Sequence, residues 1–285
     1  MSTLEGDGVK LFYHEKGAGQ PVVFVHGTLC DYRAWTPQAE SLAQRFRTIA
    51  YSRRYAHPNE RKGDPMDSTV QSNASDLNVL ITGMGLERIH LVGHSYGGFI
   101  AAYFATQHPD LLRSLTLVNA AVVTMLVREA STSAALSLLL RSPSVALSAR
   151  RTVNATKATV RVVEKEGDTS APERIFIPAL QNGRTDLPAK PQGFSEMVAD
   201  NAKTLRETTS PFPEFTAAQA KQIAVPSLVM WGELSSPWDS RVSELLSNSI
   251  PGCERVRIGG AGHFCLVEKP AEVNAALESF LIRHQ

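Results

Sequence analysis

Apolar residues fall along this chain in two rhythms. Val9 to His14 alternates apolar with polar side chains, and after Gly17-Ala18-Gly19 comes the unbroken apolar run Pro21 to Val25. This reads as a hairpin followed by a buried strand. Three more short apolar runs follow, Arg47 to Tyr51, Ile89 to Val92 and Ser114 to Val118, with segments of helical period between them. Val70, Ala74, Leu77 and Ile81 share one helix face behind Ser68, a candidate N-cap. Strands that alternate with helices predict parallel pairing and an α/β architecture built from βαβ units.

After Asn119 the rhythm changes. The next convincing strand is Val225 to Trp231, which leaves roughly a hundred residues between strands, far beyond an ordinary loop. The stretches Ala121 to Leu140, Ser144 to Glu166 and Gly193 to Glu207 carry helical composition. An inserted helical cap over 121–224, set into a core formed by 1–120 and 225–285, accounts for them better than a loop does. A last β-run, Glu254 to Ile258, precedes a helix over Ala271 to Ile282, whose Val273, Leu277, Phe280 and Leu281 make one apolar face.

Composition narrows the function classes. Of the 285 residues, 29 are Lys or Arg and 28 Asp or Glu, for a formal charge of +1. That balance offers no broad field for a phosphate backbone or an anionic membrane, so neither is an expected partner. The hydrophobic share of 43% is that of a folded globular protein. Cys30, Cys253 and Cys265 are odd in number and contain no CxxC pair, so neither a disulfide framework nor a zinc site is expected. Met1 to Lys10 lacks the apolar run of a secretion signal, and the longest apolar stretch, Ala134 to Ala149, is broken by Arg141 and Pro143. A cytoplasmic location is the expectation.

The chemistry is concentrated at Gly93-His94-Ser95-Tyr96-Gly97-Gly98, which directly follows the strand Ile89 to Val92 and directly precedes the helical segment Phe99 to Gln107. A G-x-S-x-G sequence in this context is a sharp strand-to-helix turn. It strains the serine and lifts its hydroxyl above the sheet, while the helix N-terminus favours developing negative charge. A serine hydroxyl needs a base. His263 follows the flexible Gly259-Gly260-Ala261-Gly262 after the last strand, and comes late in the chain as a serine–acid–histidine order requires. His14, His57, His90, His108 and His284 have no such context and read as surface or core residues. At the end of an earlier strand, His26-Gly27-Thr28 places a backbone amide at Thr28 that can join that of Tyr96 in an oxyanion hole. Gly17-Ala18-Gly19 lacks the third glycine of a dinucleotide fingerprint, and no metal or cofactor is expected.

Together these residues resemble the α/β-hydrolase superfamily, over nearly the whole chain. The resemblance implies a mostly parallel eight-stranded sheet flanked by helices, with the cap inserted. More narrowly, Ser52-Arg53-Arg54-Tyr55 with His57-Pro58-Asn59, and Gly232-Glu233 followed by Ser236-Pro237, are similar to a bacterial subgroup of general hydrolases. In that subgroup the acid after the seventh strand is absent, and here Ser235 stands where an Asp is usual. The subgroup and the similar zearalenone-type lactonases place a Glu after the sixth strand instead, and the matching residue is Asn119.

That departure leaves three readings. Asn119 orients His263 through its amide oxygen, the preferred one; Asp239 or Glu233, after the seventh strand, reaches the imidazole and supplies a charge; or the reaction does not pass through an imidazolium. A neutral amide cannot stabilise that cation, and the equivalent Asp-to-Asn change in a serine protease lowers turnover about 10⁴-fold. The expected function is a serine hydrolase of a small, largely apolar carboxylic ester or lactone, with Ser95, His263 and Asn119 catalytic and the amides of Thr28 and Tyr96 in the oxyanion hole. Its alternatives are a cofactor-free lyase, cyclase or oxygenase on the same fold, and a ligand-binding protein with a decayed triad. Cap residues Met125, Leu126, Leu138, Leu139 and Leu140 are candidate pocket lining. The acid-free basic run between Glu129 and Glu164 (Arg141, Arg150, Arg151, Lys157, Arg161) reads as a solvated helix face. The expected partner is a small-molecule substrate.

Overall fold

In the computed structural model, which describes residues 2–59, 67–127, 132–185 and 192–285, the apolar runs become strands of one sheet. They are β1 (Ser2–Gly6), β2 (Val9–Lys16), β3 (Pro21–Val25), β4 (Arg47–Tyr51), β5 (Ile89–His94), β6 (Leu112–Val118), β7 (Ser227–Gly232) and β8 (Glu254–Ile258). The order is β1-β2-β4-β3-β5-β6-β7-β8. Pairing is antiparallel for β1–β2 and β2–β4 and parallel from β4 through β8. Every residue of β5 and β7 is buried, as their unbroken apolar character demands of strands covered on both faces.

The sequence reading began the sheet at Val9 and missed β1. Ser2–Gly6 is a largely exposed edge strand with little apolar content, so periodicity is silent there. The available signal was Asp7-Gly8, both at positive φ, a residue pair that favours a tight hairpin turn.

The helices of the core are α1 (Thr36–Leu42), α2 (Val70–Gly83) and α3 (Tyr96–Gln107). The helices between β6 and β7 are α4 (Thr132–Arg141), α5 (Pro143–Glu166), α6 (Ile177–Leu180), α7 (Phe194–Asp200) and α8 (Ala217–Ala220). The closing elements add α9 (Pro237–Ser249), α10 (Cys265–Glu268) and α11 (Pro270–Arg283). The N-cap of α2 is Thr69, whose hydroxyl accepts from the Ser72 amide, and not Ser68, which is buried and bonds elsewhere.

The segment from 121 to 224 is helical, but broken more often than its composition predicts. The expected helix Ala121 to Leu140 is a 3₁₀ turn, Val123–Met125, and then α4; residues 128–131, Glu129 among them, lie outside the described residues. Gly193 to Glu207 is α7 followed by a 3₁₀ helix, Ala202–Thr209. Val145, Phe176, Leu180, Phe194, Leu205 and Phe215 of this segment belong to the same buried apolar cluster as the sheet strands. α5 is tied to α9, where Ser148 Oγ accepts from Trp238 N at 3.0 Å and Thr152 Oγ1 from Trp238 Nε1 at 2.9 Å. Among the described residues, no helix is long and apolar enough to cross a membrane.

Candidate active site

One residue separates the last of β5 from the first of α3, and that residue is Ser95. It has φ 54° and ψ −121°, backbone space that residues with a Cβ seldom occupy. Its amide donates to Val118 O at 3.0 Å, and its carbonyl starts the helix by accepting from Gly98 N at 2.9 Å. A Cβ at Gly97 would overlap the carbonyls of Val25 and His26, so the turn sits hard against the end of β3. β3 and β5 are neighbours although the chain visits β4, on the far side of β3, between them. The strand order therefore reverses here, and in open α/β sheets the crevice at such a switch point is where ligands bind.

His263 reaches the same crevice from the glycine loop after β8. Its Nε2 lies 3.0 Å from Ser95 Oγ, and its Nδ1 lies 2.6 Å from Asp239 Oδ2. Asp239 is in the first turn of α9, where the helix dipole favours a carboxylate. The imidazole and the carboxylate are 1% and 0% exposed, so their contact is screened little by water.

The expectation that Asn119 orients His263 is corrected by this geometry. Asn119 directly follows β6, at φ 43°, and turns its carboxamide toward the adjacent β7–α9 loop. Its Nδ2 donates to Asp239 Oδ2 and to Ser235 Oγ, both at 2.8 Å, while its Oδ1 accepts from Gly232 N at 3.2 Å and lies 3.4 Å from Cys265 Sγ. The amide thus touches the acid that touches the imidazole. Glu233, the third candidate, is turned away: its carboxylate accepts from Gly260 N at 3.1 Å and pairs with Arg257 at 3.4 Å. Among the described residues, Asp239 Oδ1 has no hydrogen-bond partner.

Thr28 and Tyr96 lie where the sequence put them, at the end of β3 and the start of α3. Among the described residues neither backbone amide has a protein acceptor, the state expected of donors kept for a substrate oxygen. An ideal Cβ on Gly27 would lie 2.9 Å from Ser95 Cβ, which places the β3 loop directly beside the serine.

Two neighbours of His263 escaped sequence reasoning. His94 is buried, and burial, with His263 beside it, pushes its pKa down to about 3. It is therefore neutral, and its Nε2 proton goes to the His263 carbonyl at 2.9 Å. Gln181, the C-cap residue of α6, accepts from His263 N at 3.1 Å through Oε1 and donates to Glu268 Oε1 at 2.9 Å. His94 lay inside the serine motif and was legible as a candidate. Gln181 was not, because nothing local distinguishes it.

Of the candidate lining residues, Met125, Leu126 and Leu138 are half-buried against the core cluster, whereas Leu139 and Leu140 are 40% and 76% exposed. Arg141, Arg150, Arg151, Lys157 and Arg161 are all exposed, as a solvated face requires. Among the described residues, no group of three or more His, Cys, Asp or Glu is placed to hold a metal ion.

Comparison with known proteins agrees with this architecture. Residues 20–270 match the family described as alpha/beta hydrolase fold. An uncharacterised protein of Mycobacterium bovis is 28% identical over 286 residues, covering 96% of this chain and 79% of the relative. The fold is similar to that of a carboxylesterase from Bacillus subtilis, with a TM-score of 0.75 at 18% identity over 98% of this chain and 90% of the other. It is also similar to that of an enol-lactonase from Burkholderia xenovorans LB400, with a TM-score of 0.63 at 19% identity over 99% and 100% of the two chains.

Proposed function

The chain belongs to the α/β-hydrolase fold family and is a hydrolytic enzyme; from that premise we propose that it cleaves a carboxylic ester or lactone of a small, largely apolar substrate through an acyl-enzyme on Ser95. The observation that carries the reading is the continuous contact from Asp239 Oδ2 to His263 Nδ1, at 2.6 Å, and from His263 Nε2 to Ser95 Oγ, at 3.0 Å.

With Asp239 ionised, the imidazole carries its proton on Nδ1 and leaves Nε2 free to accept. Ser95 Oγ attacks the substrate carbonyl carbon as its proton passes to Nε2, and the carboxylate stabilises the imidazolium that forms. The carbonyl oxygen becomes an oxyanion facing the amides of Thr28 and Tyr96. Collapse breaks the bond to the leaving alkoxide, which takes the Nε2 proton, and the acyl group remains on Ser95. Water then gives a proton to His263 Nε2 as it attacks the acyl carbon; collapse of the second tetrahedral intermediate breaks the bond to Ser95 Oγ, which takes that proton back as the acid is released.

Support for an apolar substrate comes from Phe212, half-buried, whose ring lies 6.2 Å from that of Tyr96 and 5.8 Å from that of Phe99 at the start of α3. The 121–224 segment acts as the cap in this reading, joined by Gln181 to the loop that carries His263. A small ester and a lactone present the same carbonyl to Ser95. The similarity to a carboxylesterase and an enol-lactonase is in keeping with both.

The non-hydrolytic alternative rested on a neutral partner for the imidazole, and His263 has a carboxylate. Stoichiometric labelling of the wild-type protein by a fluorophosphonate, read as one added phosphonyl mass and abolished in Ser95→Ala, is the expected result. A protein that stays unlabelled while correctly folded overturns the acyl-enzyme.

A further inference from the structure

Arg53, on the loop after β4, and Glu207, in the 3₁₀ helix Ala202–Thr209 of the inserted segment, form an ion pair with both side chains 1% exposed. Removing two charges from water costs several kcal/mol each unless hydrogen bonds complete the pair, so the bonds around it show what it serves. Glu207 Oε1 accepts from Arg53 at 2.7 Å and from Thr28 Oγ1 at 2.9 Å, and its Oε2 accepts from Arg53 at 2.9 Å and from Ser68 Oγ at 2.7 Å. Arg53 also donates to His26 O at 3.0 Å from Nε and to Gly27 O at 3.3 Å.

These contacts converge on one peptide unit. The Gly27 carbonyl and the Thr28 N–H belong to the same planar trans peptide and point in opposite directions. Holding the carbonyl toward the guanidinium therefore aims the amide the other way, and the bond from Thr28 Oγ1 to Glu207 fixes the same residue from its side chain. The next amide, Leu29 N, is fastened to Thr204 Oγ1 of the same 3₁₀ helix at 3.3 Å. The guanidinium also lies 5.0 Å over the ring of Tyr96, whose hydroxyl donates to Ser68 O at 2.8 Å. The two residues that supply the oxyanion amides are thus gripped by one buried pair, half of which comes from outside the core.

We propose that Arg53 and Glu207 are positioning residues for the oxyanion hole, and that the inserted segment, through Glu207, completes that hole. The inference rests on the acyl-enzyme reading and adds to it the source of the Thr28 amide's orientation. Neither side chain touches the reacting atoms.

The decisive variant is Thr28→Val, which keeps the shape of the side chain and the ion pair but removes the hydroxyl bond to Glu207. Wild type, Thr28→Val, Thr28→Ser and Glu207→Gln are assayed on p-nitrophenyl butyrate and with a trifluoromethyl ketone, whose hemiketal oxyanion needs the hole. Wild type is also labelled with a fluorophosphonate. Thr28→Val is expected to lower kcat about ten-fold with KM within about two-fold, and to weaken the ketone by the same factor as kcat. Thr28→Ser recovers most of that loss, and Glu207→Gln loses more than Thr28→Val. Should Glu207→Gln fail to fold, the Thr28 pair decides alone. A labelled, active wild type whose Thr28→Val variant keeps its kcat and ketone affinity, with only thermal stability lowered, overturns the inference: the pair would then merely fasten the segment to the core. An unlabelled wild type overturns the acyl-enzyme reading and this inference with it.

Discussion

At the scale of the residue, the instructive side chain is Asn119. A carboxamide can donate as well as accept, and here its Nδ2 supports Asp239 at 2.8 Å while the carboxylate itself faces His263 at 2.6 Å. Replacing it by Asn119→Asp therefore places a second carboxylate against the first. Two acids at that distance cannot both stay ionised, so one is held protonated well above its ordinary pKa and Asp239 no longer offers a full charge to the imidazolium. The expected outcome is a fall in kcat of about 10- to 100-fold on an activated ester at pH 7, with partial recovery as the pH is raised and the shared proton leaves. Asp239→Asn should be far worse, approaching the roughly 10⁴-fold loss known for the equivalent change in a serine protease. Steady-state kinetics across pH for the two variants checks both. An Asn119→Asp protein faster than wild type would mean that the amide, not Asp239, governs the imidazole.

At the scale of the element, the strand-to-helix turn depends on close backbone approach. Gly97 rests on the carbonyls that end β3, and a methyl group there would overlap Val25 O and His26 O, which are backbone and cannot rotate away. Gly97→Ala is expected to push α3 off the sheet and destabilise the fold by about 1–3 kcal/mol, the usual range for an overpacked interior. It should lower activity by a larger factor than that destabilisation explains at temperatures where the variant remains folded, because the Tyr96 amide moves with the helix. Urea denaturation set beside kcat at 15 °C separates the two effects. Pattern and turn chemistry made this element legible in advance: an apolar strand, two glycines around a serine, and an apolar helix. β1 shows the opposite case, since an exposed edge strand leaves no periodic trace and only Asp7-Gly8 marks it.

At the scale of the whole molecule, the inserted segment and the core share one interior. Because Phe176, Leu180, Phe194, Leu205 and Phe215 lie in the same buried cluster as the strands, a chain joining residue 120 directly to residue 225 would expose the core residues that they cover and leave Arg53 without Glu207. It is expected to aggregate or to melt without a cooperative transition, as read by light scattering and calorimetry. A soluble, cooperatively folding monomer would show that the segment is independent. Acid should weaken the intact fold in a definite direction. His94 has a folded pKa of about 3 against 6.5 for a free imidazole, so below pH 6.5 the unfolded chain binds a proton that the native one refuses. Stability contributed by that ring is complete above pH 6.5 and is lost as the pH falls, by about 2 kcal/mol between pH 7 and pH 5. His26, buried and also depressed well below its ordinary value, adds a loss of the same sign. Urea midpoints at pH 7 and pH 5 for wild type and His94→Gln check it: the variant's loss should be smaller.

What the sequence by itself determined is whatever short-range order encodes. The alternation of apolar runs and helical periods specified an α/β sheet, the glycine-flanked serine specified a strained turn, and the glycine loop after the last strand specified where a histidine could enter. Ser95, His263, Thr28 and Tyr96 were legible because each stands at the end of an element whose neighbours announce it. Which carboxylate meets His263, and which acid pairs with Arg53, were decided only in three dimensions. Asn119, Glu233 and Asp239 all leave strand ends on the same side of the sheet, and sequence distance does not rank them. The choice fell to Asp239 because the first turn of α9 aims its carboxylate at Nδ1, while Asn119, the residue after β6, reaches only as far as that carboxylate. Glu207 lies 154 residues from Arg53 along the chain, and a contact between residues so far apart leaves no periodic signal for a one-dimensional reading to find.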